Sequence, residues 1–132
     1  MKALPKPTEG ELAILRVIWS RGPSTVRQIL EVFERTRPAG YTTILKLLQI
    51  MTEKGLVRRH GAGRTHVYRA RLSEKETQQQ LVRDLLDRAF GGSAAKLVLQ
   101  ALASRPATPE ELAEIEMLLH RQRTSPDDDE SS

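Results

Sequence analysis

Residues 25–60 read TVRQILEVFERTRPAGYTTILKLLQIMTEKGLVRRH, and apolar side chains recur in them at the spacing of one helix face. The first set is Val26, Ile29, Leu30 and Phe33, and the second is Ile44, Leu47, Leu48 and Met51. Residues 37–40 (RPAG) interrupt the pattern, and Gly55 follows the second set, where glycine commonly ends a helix. The pattern predicts two amphipathic helices, over about 25–35 and 41–54, joined by a short turn.

Short β-rich runs follow the second helix, at residues 56–60 (LVRRH) and 65–70 (THVYRA), and the glycines between them predict a hairpin turn. Because Val67 and Tyr68 are adjacent, only one of them can face the core, and we expect it to be Tyr68. A further helix is predicted over about 9–20, with a buried face formed by Leu12, Leu15, Ile18 and Trp19. Three helices and a basic hairpin, in this order, predict a winged helix-turn-helix domain at residues 1–71.

Helix start signals recur along the chain. Four pairs have the spacing of a capping box, in which two side chains accept orphan backbone N–H groups: Thr8 with Glu11, Thr25 with Gln28, Ser73 with Glu76, and Thr108 with Glu111. Ser24, Ser73 and Ser93 are interpreted as helix caps rather than as nucleophiles. Beyond residue 72 the apolar spacing predicts helices over about 73–90, 93–104 and 108–122. The predicted fold class is mainly α with a small β-hairpin.

The last three predicted helices carry more apolar surface than a unit of about fifty residues can bury internally. A second copy of the chain would cover that surface, so residues 72–123 are predicted to be a helical dimerisation region. The side chains expected at the dimer contact are Leu81, Leu85, Phe90, Leu97, Val98, Leu112, Ile115, Leu118 and Leu119. Residues 124–132 (TSPDDDESS) are acidic and lack apolar side chains, which predicts a disordered tail.

The net charge of +4 hides a gradient along the chain. Residues 1–72 have a formal balance of +9, residues 73–123 of −1, and residues 124–132 of −4. The basic first half favours nucleic acid as a partner, although an anionic membrane surface attracts such charge too. The absence of cysteine excludes disulfide scaffolds, zinc fingers and thiol catalysis. No apolar run approaches the ~20 residues of a membrane span and no secretory signal is recognised, so we expect a cytoplasmic protein without membrane insertion.

The helix over residues 41–54 carries polar side chains opposite its apolar face. In a helix-turn-helix the second helix enters the major groove, where Thr and Gln can bond base edges and Lys can reach guanine or phosphate. A solvated helix has the same kind of polar stripe, and a basic edge hairpin can serve only to deter aggregation. The polar stripe and the basic hairpin, taken together, favour DNA binding. The predicted DNA-binding residues are Tyr41, Thr42, Thr43, Lys46, Gln49, Arg58, Arg59 and Arg64, with Arg64 at the hairpin tip.

Neither an active site nor a cofactor or metal site is predicted. His60 and His66 could face one another across the hairpin, but no carboxylate joins them or His120 at the spacing of metal ligands. No serine-hydrolase motif or phosphate-binding glycine loop is present. We therefore expect a protein that is not an enzyme. An alternative from another class is a winged-helix module that binds a protein without sequence-specific DNA binding, since fold does not determine function.

A series of short segments occurs in one order along the chain: residues 12–19 (LAILRVIW), 25–29 (TVRQI), 41–44 (YTTI) and 53–57 (EKGLV), and then Gly63-Arg64 with Tyr68 and residues 90–93 (FGGS) with Leu97-Val98. These segments resemble the penicillinase-repressor (BlaI/MecI) family. The resemblance covers about residues 8–120 and rests on the order and spacing of these segments. It implies a homodimeric repressor of dyad-symmetric operators, in which a winged helix binds DNA and the C-terminal helices form the dimer. The genes controlled would be antibiotic-resistance or related genes.

The resemblance assigns individual residues and a partner as well. It places Tyr41, Thr42, Thr43 and Lys46 in the recognition helix and Arg64 in the wing. Copper-sensing relatives add a C-terminal cysteine motif, which this chain lacks. The best-known branch is inactivated by proteolysis of its dimerisation region, triggered by a membrane metallopeptidase, which implies a protease partner. Gln100-Ala101 stands where that branch has an Asn-Phe bond, so the resemblance does not fix the cleavage site.

Overall fold

The computed structural model describes residues 6–36, 39–61 and 65–124. Its elements are α1 (Glu9–Arg21), α2 (Val26–Thr36), α3 (Tyr41–Lys54), β1 (Val57–His60), β2 (Val67–Ala70), α4 (Glu74–Ala89), α5 (Ala94–Ser104) and α6 (Pro109–Arg123). This order of three helices, an antiparallel hairpin and three further helices confirms the predicted fold class. Arg64 and, of the predicted acidic tail, residues 125–132 lie outside the described residues. Within the described ranges, no helix is both long and apolar enough to cross a membrane.

The chain divides into two compact units, residues 1–84 and 85–132. The division falls inside α4, so about three turns of that helix belong to the first unit. The rest of the first unit consists of α1, α2, α3 and the hairpin. The domain boundary predicted after residue 71 falls just after the end of the hairpin. That this boundary separates a DNA-binding function from a dimerisation function stays a prediction.

One apolar core holds the first unit together. It is formed by Ile14, Leu15, Val17, Ile18, Val26, Ile29, Phe33, Ile44, Leu48, Met51, Leu56, Val57 and Tyr68. Helices α2 and α3 contribute the faces that their periodicity predicts, with Leu30 and Leu47 half-buried at the edges of those faces. The contact between α2 and α3 gives the helix-turn-helix its geometry.

The buried face of α1 is wider than the predicted one. Leu12 and Trp19 are only half-buried, although both are predicted core residues, and Ile14 and Val17 are buried in addition to the expected positions. Helix α1 contacts α2, α3 and β2, so its neighbours cover it from more than one side. Apolar periodicity locates the centre of a buried face but does not give its width, and this is why the prediction was wrong at these positions.

A short bridge connects the hairpin to the start of α2. The backbone N–H of Ser24 donates to the carbonyl of Tyr68 at 3.0 Å, and the Tyr68 N–H donates to the Ser24 carbonyl at 2.8 Å. Tyr68 is 2% exposed, which confirms its inward orientation. The interpretation of Ser24 as a helix cap is wrong: the bridge fixes its backbone in an extended pairing, its hydroxyl donates to the Gly22 carbonyl, and Thr25 caps α2 instead.

All four predicted capping boxes are present. In each box the Ser or Thr oxygen accepts a backbone N–H at 3.1 to 3.3 Å, and the Glu or Gln oxygen accepts one at 2.9 to 3.0 Å. Ser93 caps α5 in the simpler way, by accepting the N–H of Lys96. Gly55 ends α3 with a φ of 84°, a left-handed conformation that residues with a side chain disfavour. These local signals fix the helix starts, which therefore agree closely with the prediction.

The second unit consists of the end of α4 together with α5 and α6. Neither α5 nor α6 contains a buried residue. The large apolar side chains exposed in this unit are Leu85, Val98, Leu99, Leu112, Met117, Leu118 and Leu119. Such a density of exposed apolar side chains is typical of a surface that another molecule covers.

Candidate nucleic-acid interface

Helix α3 presents a polar face on the side away from the core. Ile44 and Leu48 are fully buried, and they fix which side of the helix faces outward. The predicted DNA-binding residues on this helix are all exposed: Tyr41, Thr42, Thr43, Lys46 and Gln49. Thr42, Lys46 and Gln49 are spaced i, i+4 and i+7, so the helix brings their side chains together on one outward face. The arrangement has the length and the hydrogen-bonding groups needed to read base edges in a major groove.

An ion pair ties the end of α3 to the beginning of α1. The ammonium of Lys54, the last residue of α3, lies 2.9 Å from one carboxylate oxygen of Glu11 and 3.0 Å from the other. The Glu11 side chain is 2% exposed and also accepts the backbone N–H of Thr8. Burial by itself raises the pKa of Glu11, but the bonds from Thr8 and Lys54 outweigh burial and hold the pKa below its ordinary value. Apart from the capping box of Thr8 and Glu11, no pattern in the sequence indicates this ion pair.

A cavity of about 550 Å³ opens where the N-terminal ends of α2 and α3 meet the start of β2. It is lined by Thr25, Val26, Arg27, Tyr41, Leu45, Thr65, His66 and Tyr68. The Nδ1 atom of His66 is buried there and has no hydrogen-bond partner among the described residues. The lining of the cavity thus includes one exposed basic residue, Arg27, beside the exposed Tyr41 at the start of α3. Sequence reasoning missed Arg27, although its place in the first turn of α2 was a usable signal.

The hairpin places its basic side chains on both of its faces. Arg58 lies directly opposite Arg69, and Arg59 lies opposite Tyr68, so the two predicted arginines project to opposite sides. Both are exposed. Like charges directly opposite each other destabilise a strand pair, and a nearby polyanion would relieve the repulsion between Arg58 and Arg69. Arg64, predicted at the hairpin tip, lies outside the described residues.

The histidines of the hairpin do not form a pair across it. The strand register sets His60 opposite Val67, so the possibility that His60 faces His66 is wrong. A hairpin register is fixed by its turn and by its inward-facing residues, which spacing in the sequence does not reveal. Within residues 6–36, 39–61 and 65–124, no group of three or more His, Asp or Glu side chains is placed to hold a metal ion.

The predicted dimerisation residues are half-buried or exposed, and none is buried. Leu85, Val98, Leu112, Leu118 and Leu119 are exposed, and Leu81, Phe90, Leu97 and Ile115 are half-buried. Leu81 belongs to the first compact unit and the others to the second. Their exposure leaves them available for contact with a second chain, and their role in dimerisation stays a prediction.

The sequence model of the penicillinase repressor family matches residues 7–121, which is most of the chain. The chain belongs to the penicillinase repressor family. The resemblance described from the sequence is thereby confirmed. This family consists of transcriptional repressors and not of enzymes, so the chain is a transcriptional repressor.

Individual relatives and a solved structure agree with the family match. The penicillinase repressor of Bacillus licheniformis is 24% identical over 123 residues, which cover 93% of this chain and 96% of that protein. The transcriptional regulator BlaI of Mycobacterium tuberculosis is 30% identical over 111 residues, covering 83% of this chain and 80% of the relative. The solution structure of the DNA-binding domain of the repressor BlaI has a TM-score of 0.50 and 26% identity, and it covers 58% of this chain and 93% of that domain. The fold similarity confirms the winged helix.

Proposed function

We propose that this repressor acts as a homodimer that binds dyad-symmetric operator DNA through α3 and the hairpin of each copy. The observation that carries the proposal is the outward face of α3, where Thr42, Lys46 and Gln49 are exposed opposite a fully buried core face. A helix of this kind, placed second in a helix-turn-helix, is the element that reads the major groove. The similarity of this chain to the DNA-binding domain of BlaI supports the same conclusion. The alternative of a protein-binding module has no comparable support.

The remaining contacts follow from the position of α3. With α3 in the major groove, the hairpin arginines approach the phosphate backbone, and Arg27 and His66 line a cavity beside the start of α3. Phosphate contacts position a protein on DNA without reading its sequence, whereas contacts from α3 to base edges specify the sequence. We assign the recognition of sequence to α3, and the main part of the salt-dependent affinity to the basic side chains around it.

A second copy of the chain is the proposed partner of the second unit. No residue of α5 or α6 is buried, and both helices carry exposed apolar side chains. A two-fold dimer would bury these side chains on both copies at once. A two-fold dimer demands two half-sites related by a dyad, about one helical turn (~10 bp) or a multiple of it apart.

Control of the repressor would act on the same helices. We place its target among β-lactam-resistance-type genes, on the ground that its relatives are named penicillinase repressors. A cut within about residues 93–105 would separate α6 from the rest of the chain and dissociate the dimer, so a protease that cuts there would relieve repression. The proposed site of action is the cytoplasm, where the operator lies. A chain truncated after Ser104 should therefore lose affinity for the full operator, and full affinity in that chain would contradict this route of induction.

The experiment that tests the proposal is a gel-shift titration with the full chain. The probes are the DNA upstream of its own gene and a scrambled sequence of the same composition, at two salt concentrations. We expect tight binding to the upstream DNA, much weaker binding to the scrambled DNA, and a steep loss of affinity for both as salt rises, because phosphate contacts release counterions. Equal binding to the two probes would show that the chain does not recognise a DNA sequence.

A further inference from the structure

Two arginines lie directly opposite each other on the outer face of the hairpin. The strand register pairs Arg58 of β1 with Arg69 of β2. Their neighbours in the chain, Val57 and Tyr68, are 1% and 2% exposed and face the core. Because successive side chains of a strand point to opposite faces, Arg58 and Arg69 both point away from the core, and both are exposed. We refer to these two residues as the arginine pair.

No acidic side chain of the hairpin neutralises the arginine pair. Residues 54–73 contain no aspartate or glutamate, and neither guanidinium forms an ion pair with any other side chain that the structure describes. Residues directly opposite each other in antiparallel strands have Cβ atoms about 4.5–5.5 Å apart, and like charges in that arrangement destabilise the strand pair. The hairpin therefore holds two positive charges together at a cost in stability.

Protection against aggregation does not explain this arrangement. Both strands of the two-stranded sheet are edges, and a charge on an edge strand deters pairing with other chains. A charge at any register position serves that purpose, so it does not require two like charges to face each other. An anion bound between the two guanidinium groups would, by contrast, replace their repulsion with two attractions.

A phosphodiester group has the chemistry that the arginine pair fits. It carries one negative charge on two unesterified oxygens, so each guanidinium can donate to one of them through its planar set of N–H groups. DNA presents such a group at every nucleotide. The arginine pair lies in the same compact unit as α3, and β1 contacts α3, so a duplex bound by α3 brings phosphates close to the hairpin.

We propose that Arg58 and Arg69 together bind one phosphodiester group of the DNA backbone. The inference rests on the proposed function and deepens it, because it assigns a DNA contact to Arg69 and joins this residue to Arg58 in a single site. A phosphate contact positions a protein on DNA without reading bases, so the arginine pair contributes affinity for any sequence. Without DNA, the same two side chains repel each other and weaken the hairpin.

A double-mutant cycle on the full chain tests the shared site. Arg58→Gln, Arg69→Gln and the double variant are titrated against the DNA upstream of its own gene and against scrambled DNA, over a series of salt concentrations. We expect each single variant to bind both DNAs about fivefold more weakly, and the double variant only about tenfold more weakly, because the first substitution already opens the site. In the double variant the slope of log K against log salt should fall by about 1, as for the loss of one phosphate.

Unfolding without DNA gives an independent readout. Either single variant should raise Tm by about 1–4 °C at low salt, because it removes the repulsion between the two guanidinium groups. The double variant should gain no more than a single one, and high salt should reduce the gain. Arg16→Gln is the matched control, since it removes the same charge from an exposed position of α1. It should keep the wild-type Tm and salt slope.

The outcomes separate this inference from the proposed function. Additive losses of affinity in the double variant, with a slope reduced by about 2, would place the arginines on separate phosphates and overturn the shared site. A lower Tm in both single variants would overturn the repulsion. If the wild type bound upstream and scrambled DNA equally, sequence recognition would fail, while a non-additive cycle on scrambled DNA would still support the arginine pair. A wild type that bound neither DNA would overturn both.

Discussion

The ammonium of Lys54, the last residue of α3, lies within 3.0 Å of both carboxylate oxygens of Glu11 in the first turn of α1. Glu11 also accepts the backbone N–H of Thr8, so one buried carboxylate both caps α1 and anchors the end of α3. The pair fixes the C-terminal end of α3, which is the end farther from the turn between α2 and α3. Helix α3 also contacts α1, α2 and β1, so the ion pair is one of several attachments that hold α3 on the core.

Replacing Glu11 with glutamine should lower the free energy of unfolding at neutral pH by about 1–3 kcal/mol, because a charged hydrogen-bond acceptor is lost at a buried site. The effect depends on pH in a defined direction. The folded-state pKa of Glu11 lies below its ordinary value, so its ionised form favours folding. This contribution is full above the unfolded-state pKa, about 4.3, and is lost as the pH falls through the lower folded-state pKa. Urea titrations at neutral and acidic pH measure it.

The matched control for Glu11→Gln is Glu31→Gln, at an exposed position of α2. It should leave the free energy of unfolding within about 0.5 kcal/mol of wild type at every pH, as is usual for a surface substitution. A stability difference between wild type and Glu11→Gln that stayed constant from neutral to acidic pH would contradict the assignment of that difference to the ionised carboxylate.

Lys46→Ala should weaken operator binding by about 1–3 kcal/mol without unfolding the protein, because the side chain is exposed and its contact would be made to base edges or phosphate. Lys75→Ala is the control, since it removes the same charge from an exposed position of α4. Gel shifts measure the affinities, and circular dichroism verifies the fold. From the sequence we expect Arg64→Ala to weaken operator binding as well. Wild-type affinity in both Lys46→Ala and Arg64→Ala would reject the assignment of these residues to the interface.

Arg27→Ala should affect specific and non-specific DNA alike. If Arg27 contacts a phosphate from the cavity between α2, α3 and β2, its loss should reduce the slope of log K against log salt by about 1. Arg35→Ala, in the last turn of the same helix, should keep the wild-type slope. The measurement is a series of titrations across salt concentrations. An unchanged slope in Arg27→Ala would place this guanidinium outside the contact.

Leu118→Glu should dissociate the dimer, since it puts a charge on an apolar face of α6 where the side chain is 47% exposed in a single chain. Ala113 lies on the opposite side of α6, so Ala113→Glu makes a comparable change away from that face and should leave the dimer intact. Sedimentation velocity at micromolar concentration distinguishes the two states. A wild-type chain that sediments as a monomer would refute the dimer, and a dimeric Leu118→Glu chain would move the contact elsewhere.

The regular elements could be predicted because their signals are local. Gly55 is held in a left-handed conformation, and the capping boxes beginning at Thr8 and Thr108 bond as their spacing requires. The apolar spacing in α2 and α3 indicated which side of α3 faces the core and, by elimination, that Lys46 faces outward. These features depend on residues within two turns of one another, so the sequence pattern is sufficient to find them.

Features that depend on distant segments could not be predicted in this way. The burial of Glu11 depends on Lys54, and the pairing of Ser24 depends on Tyr68, and neither relationship leaves a periodic trace in the sequence. Arg27 was missed for a related reason, because the cavity that makes it notable exists only where two helices and a strand meet. Tertiary contacts set the function of such residues, while local patterns determine only the element on which they lie.

The measurement that bears most directly on the central claim is a nuclease footprint of the full chain on the DNA upstream of its own gene. A homodimer that reads DNA with α3 should protect two half-sites of related sequence on a dyad, their centres about one helical turn (~10 bp) or a multiple of it apart. Both should lose protection together as salt rises. A single asymmetric protected site, or even protection along the whole fragment, would contradict the account.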